Sequence, residues 1–254
     1  MDENILQVAA SWLFQHEKIA VLTGAGISQE SGIPTFRGND GVWKHYRAQD
    51  LATPEAFARN PELVWEWYLY RRQLVREKKP NPAHYALVRL KNLKQKTELI
   101  TQNVDGLHRR SGFGEHTEMH GYLFRDVCTR CSWEREDYES HEKIPHCPRC
   151  GSMMRPGVVW FGESIPEKAW QHFHRLSREC ELLMVIGTSQ VVYPAAALSQ
   201  YVRQRSAYVI EINPELTTSC QGKSIYLGYK AGFILPKLID ELEKLFKKTR
   251  EVDR

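Results

Sequence analysis

The sequence is narrowed first by what it lacks. No apolar run approaches the roughly 18 residues that span a bilayer, and the opening Met1-Asp2-Glu3-Asn4 is acidic where an export signal is basic. A soluble, cytoplasmic protein with no membrane partner is expected. Neither sign of charge is in excess: 35 Lys and Arg against 31 Asp and Glu leave +4 over 254 residues, too small and too dispersed to argue for direct nucleic-acid binding. Cysteine is scarce, six in all, and without an export signal the pattern points to metal and not to disulfides. A third glycine is also missing. After Gly24-x-Gly26 the dinucleotide fingerprint would place one at Gln29, and no ribose-binding acid follows at the usual distance.

What is present alternates. Residues 5–15 carry apolar side chains at helical spacing and precede a strand at 19–22. Thr53-Pro54 reads as a helix cap and first turn, a helix follows over 61–76, Pro80-Asn81-Pro82 breaks it, and 83–93 is helical again. Strands are expected at 98–101, 182–186, 207–212 and 224–227, and a packing helix over 235–248. This is an α/β pattern with crossover helices, a Rossmann-like doubly wound parallel sheet. Four polar clusters fall just after strands: Gly24-Ala25-Gly26, Gln102-Asn103-Val104-Asp105, Gly187-Thr188-Ser189 and Asn213-Pro214-Glu215. In such a sheet all four gather at the carboxyl edge, where nucleotides bind.

Cys128-x-x-Cys131 and Cys147-x-x-Cys150 are separated by 15 residues, the spacing of two knuckles closing a four-thiolate zinc site. Four sulfurs leave no open position for water, so the ion is expected to be structural, holding a small ribbon inserted over about 121–164 between large-domain segments 1–120 and 165–254. Acidic residues interleave with Arg130, Arg135 and Lys143 around it, which is no basic stripe. His141 and His146 read as solvated loop residues, and Cys180 and Cys220 as unreactive.

Gly24-Ala25-Gly26-Ile27-Ser28 followed by Gly32-Ile33-Pro34-Thr35-Phe36-Arg37, Gln102-Asn103-Val104-Asp105 and Met119-His120-Gly121 resembles the sirtuins, NAD-consuming protein deacylases, and the likeness extends over nearly the whole chain. The resemblance implies that His120 is the general base and that Asn103 orders the reacting centre and a water. It implies that NAD is consumed as co-substrate, giving nicotinamide, free lysine and O-acyl-ADP-ribose. Gly24, Ala25, Gly26, Ser28, Val104 and Thr188 would belong to the cofactor site. Gln102 would face the ribose, Asp105 the carboxamide, Gly187 and Ser189 phosphate, Asn213 the adenosine ribose and Ala231 the adenine. Thr35, Phe36 and Arg37 would cover the cofactor from a closing loop. His108 would belong to a helix-opening turn.

Substrate is expected to be an acyl-lysine of a protein or peptide, entering by strand addition. Residues 158–163 read as a short extended segment, and Val159, Trp160, Phe161, Gly162 and Glu163 resemble the family stretch that pairs with substrate backbone, with Val192 and Tyr193 as the opposite wall. Tyr68 and Arg71 lie three apart, hence on one helix face, and a phenol beside a guanidinium suits a carboxylate. The pair matches the Tyr-x-x-Arg of class III sirtuins, which remove malonyl, succinyl and glutaryl groups, with Ala52 as the small residue that widens the pocket. Arg72, one position on, is expected to meet solvent. Two rival functions share these residues, a mono-ADP-ribosyltransferase and a non-enzymatic NAD-responsive regulator.

Overall fold

The computed structural model describes residues 3–34, 42–138, 144–190, 193, 195–216 and 222–252. Thr35, Phe36, Arg37, Val192, His141, Lys143 and Cys220 fall outside these residues, and so does most of the closing-loop expectation.

The chain opens with α1 (Glu3–Gln15), β1 (Ile19–Thr23) and a one-turn α2 (Gly26–Gln29). A small hairpin of β2 (Val42–Trp43) and β3 (Tyr46–Arg47) leads into α3 (Ala48–Leu51), α4 (Pro54–Arg59), α5 (Pro61–Arg76) and α6 (Pro82–Leu93). Then come β4 (Thr97–Thr101), α7 (Leu107–Arg110) and β5 (Thr117–Glu118), followed by β6 (Gly121–Cys128), β7 (Glu134–Glu136) and β8 (Met154–Val158). The remainder is α8 (Glu167–Glu179), β9 (Leu182–Ile186), α9 (Ala195–Gln204), β10 (Tyr208–Ile212), β11 (Ser224–Leu227) and α10 (Ala231–Val252).

Helix starts follow local chemistry. The Thr53 hydroxyl accepts from Ala56 N at 3.0 Å, and Asn60 Oδ1 accepts from Leu63 N at 3.0 Å, each with proline at the first helical position. Each cap satisfies an amide that has no helical partner. Helix α10 starts four residues before the expected 235, because the Glu30 carboxylate accepts from Gly232 N at 2.6 Å and supplies a cap from 202 residues away.

Six strands form one parallel sheet in the order β11-β10-β9-β1-β4-β5. The first strand is central and the order reverses on either side of it, which puts the topological switch point between β1 and β9. Both of these strands are buried along their whole length, as a sheet covered on two faces demands. One face packs α1, α6 and α10 through Leu13, Leu87, Leu90, Leu238 and Ile239, and the other packs α8 and α9 through Phe173, Leu198 and Val202. Burying each such side chain contributes about 1.5–3 kcal/mol. A second sheet, in the order β7-β6-β8, is antiparallel and packs against α3 to α5 around Trp65, Tyr68, Phe124 and Trp160.

The expectation that Arg72 meets solvent is wrong. It is 1% exposed: Nε donates to Leu123 O at 2.7 Å, Nη2 to Arg125 O at 3.1 Å, and Nη2 pairs with Asp126 Oδ1 at 2.7 Å. Arg72 lies on the broad buried face of α5, which packs against β6, and a charged residue there is tolerated because the Asp126 carboxylate waits opposite it.

Candidate active site

Strands β1, β4, β9 and β10 all deliver their C-terminal loops to the switch point, and there the surface opens into a cleft of about 640 Å³, within the range of small-molecule sites. Its floor is made by glycines at close approach. A Cβ on Gly24 would stand 2.7 Å from Thr188 Cβ, and one on Gly26 would stand 2.8 Å from Gly187 Cα. Gly187 has φ +58°, and a Cβ there would sit 2.4 Å from Ile27 N. Gly187→Ala is therefore expected to cost about 2–4 kcal/mol through strain and overpacking, read as a lower urea midpoint. An unchanged midpoint would show that the two loops are not in this contact.

Polar side chains then tie the loops to one another. Gln102 Nε2 donates to Thr188 Oγ1 at 3.0 Å, and Asn213 Nδ2 donates to Thr188 O at 3.0 Å. Asn103 Nδ2 donates to Gly24 O at 3.1 Å and Ser28 Oγ at 3.2 Å. Gln102, Asn103, Val104, Ser189 and Ala231 line the cleft along with Ala25 and Thr188. Ser28 and Asp105 are buried behind that wall, 1% and 6% exposed. Burial raises the Asp105 carboxyl, against donation from Leu107 N and Ser28 and the charge of Arg71. The Gly24, Gly26 and Gly187 amides donate to Ile186 O, Gly187 O and Ile212 O, so these glycines let the loops close on one another, and the polar groups of Gln102, Asn103, Ser189 and Asn213 line the cleft between them. A nucleotide at a sheet switch point is held by such a set, so the residues fit NAD.

His120 is carried to the same edge by β5, a two-residue strand with no counterpart in the sequence reading; Met119 N extends the pairing to Thr101 O at 2.9 Å. Its Nδ1 stands 2.9 Å from Gln102 O. A carbonyl only accepts, so the proton is on Nδ1 and the Nε2 lone pair is left for chemistry. Burial lowers the imidazole pKa, against the Gln102 hydrogen bond, which keeps the ring neutral and basic near pH 7. The other buried histidines are unsuited. His108 Nε2 meets Thr23 Oγ1 at 3.0 Å, and burial with His84 and His116 nearby drives its pKa well down; burial brings His84 to about 4.

Tyr68 and Arg71 line the same cleft, with Ala52. Arg71 is half-buried, its guanidinium 4.9 Å from the Trp67 ring centre and 5.6 Å from that of Tyr68. Burial lowers its pKa, opposed by Tyr68 and Asp105, and a guanidinium stays charged regardless. Trp67 was not singled out from the sequence, although its position one turn before Arg71 was the available signal. Glu215, from the cluster expected at this edge, lines the cleft too, and Glu30 and Lys230 do so unforeseen.

Val159, Trp160, Phe161, Gly162 and Glu163 do line the cleft, but they are not an extended strand. Strand β8 ends at Val158, Glu163 N donates back to Trp160 O at 3.0 Å, and Gly162 turns at φ +87°. Val159 N is taken by His120 O and Phe161 N by Ala52 O, both at 2.9 Å. Tyr193 stands at the rim, 65% exposed.

Away from the cleft, the four knuckle cysteines converge with every sulfur within 4.8 Å of the others. Cys128 Sγ is 3.5 Å from Cys150 Sγ, and Cys131 Sγ is 3.7 Å from Cys147 Sγ. Tetrahedral zinc with 2.3 Å bonds needs sulfurs about 3.8 Å apart, so the cluster suits a structural zinc. Gly151, at φ +73°, makes the turn after the second knuckle, and His146 is exposed as expected. Among the described residues no helix is long and apolar enough to cross a membrane.

A sequence model of the Sir2 family matches residues 24–194. The chain is 48% identical over 232 residues to an NAD-dependent protein deacylase of Pyrococcus furiosus, covering 89% of this chain and 93% of that one. It is 47% identical over 230 residues to one of Aquifex aeolicus, covering 90% and 96%. Among solved structures, a Sir2 homologue–NAD complex superposes with a TM-score of 0.87 at 42% identity, covering 96% of this chain and 95% of that one. A Sir2–p53 peptide–NAD+ complex gives 0.80 at 30%, covering 91% and 95%. With the switch-point glycines, the oriented His120 and the cysteine cluster on one chain, and relatives this similar along most of its length, the protein belongs to the Sir2 family, the sirtuins.

Proposed function

We propose that this protein is an NAD-dependent protein-lysine deacylase that removes acetyl and succinyl groups, and also malonyl- and glutaryl-type groups, from lysine. The observation that carries the proposal is that one cleft holds the switch-point glycines, the oriented His120 and the Tyr68 and Arg71 pair. NAD, when bound, would supply an electrophilic ribosyl carbon with nicotinamide as its leaving group; with one water consumed, the products would be nicotinamide, free lysine and O-acyl-ADP-ribose.

The protein's part is positioning and proton handling. Gly24, Gly26 and Gly187 let the loops after β1 and β9 close on one another, and Gln102 and Asn213, tied through Thr188, hold the polar ends of the site in register. His120 Nε2 is the acceptor for the proton that the reaction releases. Asn103, pinned to Gly24 and Ser28, fixes the loop behind it. Cys128, Cys131, Cys147 and Cys150 would hold zinc as a fold element with no part in the chemistry. With the amides of residues 159–161 and 163 spent inside the chain, a substrate backbone would pair with carbonyls of this turn and with the rim near Tyr193.

The test is mass spectrometry of one peptide bearing succinyl- or acetyl-lysine, with and without NAD. Removal of either group only with NAD, with the matching O-acyl-ADP-ribose formed, supports the activity; ADP-ribose left on protein favours the transferase instead. For the acyl group, Arg71→Met is expected to reduce kcat/KM for succinyl-lysine about 30- to 1000-fold more than for acetyl-lysine, because a charged hydrogen-bonded pair contributes about 2–4 kcal/mol. Equal losses would remove the carboxylate reading and leave the deacylase.

A further inference from the structure

Trp160 Nε1 lies 2.9 Å from the Tyr68 hydroxyl, and both side chains are buried, 3% and 0% exposed. An indole N–H only donates, so this bond has one possible polarity: Trp160 gives and the Tyr68 oxygen accepts. A phenol has a single proton, and that proton is therefore outside this bond.

The indole is itself held. Its ring lies 3.5 Å from the Arg155 guanidinium carbon and 5.3 Å from the Phe57 ring. Arg155 Nη2 donates to Glu163 Oε2 at 2.8 Å and to Val158 O at 2.9 Å, and the same Glu163 oxygen accepts from Trp160 N at 2.8 Å. Residue 160 is thus fixed at its backbone and at its ring, and its N–H has one aim.

We propose that Trp160, clamped by Arg155 and Glu163, is a specificity-determining residue that turns the Tyr68 hydroxyl into a donor toward the acyl part of the cleft. The bond from Trp160 occupies one acceptor site of Tyr68 and leaves its proton for a group in the cleft, and accepting a hydrogen bond strengthens a hydroxyl as a donor. Beside Arg71, which only donates, the acyl part of the cleft then favours a group that accepts. A carboxylate does; an uncharged methyl gains nothing from it. This inference rests on the acyl reading proposed above.

The experiment is a double-mutant cycle on the ratio of kcat/KM for succinyl-lysine to that for acetyl-lysine, using Trp160→Phe, Tyr68→Phe and the pair. Trp160→Phe keeps an aromatic ring and deletes the donor, and is expected to lower the ratio about fivefold, mainly through KM for the succinyl peptide. Tyr68→Phe is expected to lower it about tenfold or more. In the Tyr68→Phe background the Trp160 substitution is expected to change the ratio by less than about twofold, since its route is gone. Multiplicative effects, or an unchanged ratio for Trp160→Phe while Tyr68→Phe lowers it, would overturn the proposal and leave the acyl reading intact. If Tyr68→Phe itself leaves the ratio unchanged, the acyl reading falls, and this inference with it. Arg155→Leu, which removes the clamp without touching the cleft pair, is expected to lower the ratio in the same direction; no change would also count against the proposal.

Discussion

Substituting His120 with alanine is expected to lower kcat by about a thousandfold or more while NAD affinity stays within a few-fold, because a positioned general base contributes on the order of 10²–10⁴ in rate and the nucleotide is held by other residues. Calorimetric titration with NAD and a single-turnover assay separate the two effects. The wild-type pH profile adds an independent check. The reactive form is the neutral ring, and burial lowers the pKa of His120 from its ordinary 6.5. The sign follows: activity present at neutral pH is lost as pH falls through that lowered value, so the acid limb of kcat/KM belongs below pH 6.5. An acid limb above 6.5, or near-normal turnover in the alanine variant, would remove His120 from the proton-transfer role.

The parts of this site that were legible in the sequence are those whose signal is local. A strand ending in Gly24-Ala25-Gly26, a cysteine pair at knuckle spacing and a helix opening on Thr53-Pro54 each carry their reason within a few residues, and each lies in the structure where it was expected. His120 was recognised through its motif and not its setting. The two-residue strand that carries it to the sheet edge is too short to leave any periodicity. Residues 158–163 misled because Val-Val-Trp-Phe has strand composition, and only the Arg155 to Glu163 pair and a positive φ at Gly162 turn it back on itself. Arg72 misled for the same kind of reason. On its own helix it has no apolar role, and its partner is 54 residues away. The signal was on the other side: Asp126 follows the buried run Tyr122, Leu123 and Phe124 on β6, so a carboxylate sat at the end of a core stretch.

That buried carboxylate carries the largest expected stability effect. Asp126 is 0% exposed and has two guanidinium partners, Arg72 at 2.7 Å and Arg135 at 3.1 Å. The two ends of the Arg72 pair are not equivalent. Removing Arg72 leaves Asp126 with Arg135, whereas Asp126→Ala leaves Arg72, 1% exposed, with backbone carbonyls and no counter-charge. An unpaired buried charge costs about 3–5 kcal/mol, and a chain of this size moves about 2–4 °C per kcal/mol. Asp126→Ala is therefore expected to lower Tm by about 10 °C, and Arg72→Met by less. The double variant Arg72→Met with Asp126→Ala should recover part of the loss, since it leaves no unpaired Arg72 charge to desolvate. Thermal unfolding of the four proteins, each loaded with zinc, closes the cycle. If Asp126→Ala costs no more than an exposed substitution, the pair is not what fastens α5 to β6. The same four proteins also test whether fastening serves the site, because Arg71 precedes Arg72 on that helix. A looser α5 should raise KM for succinyl-lysine more than for acetyl-lysine, in proportion to the Tm lost.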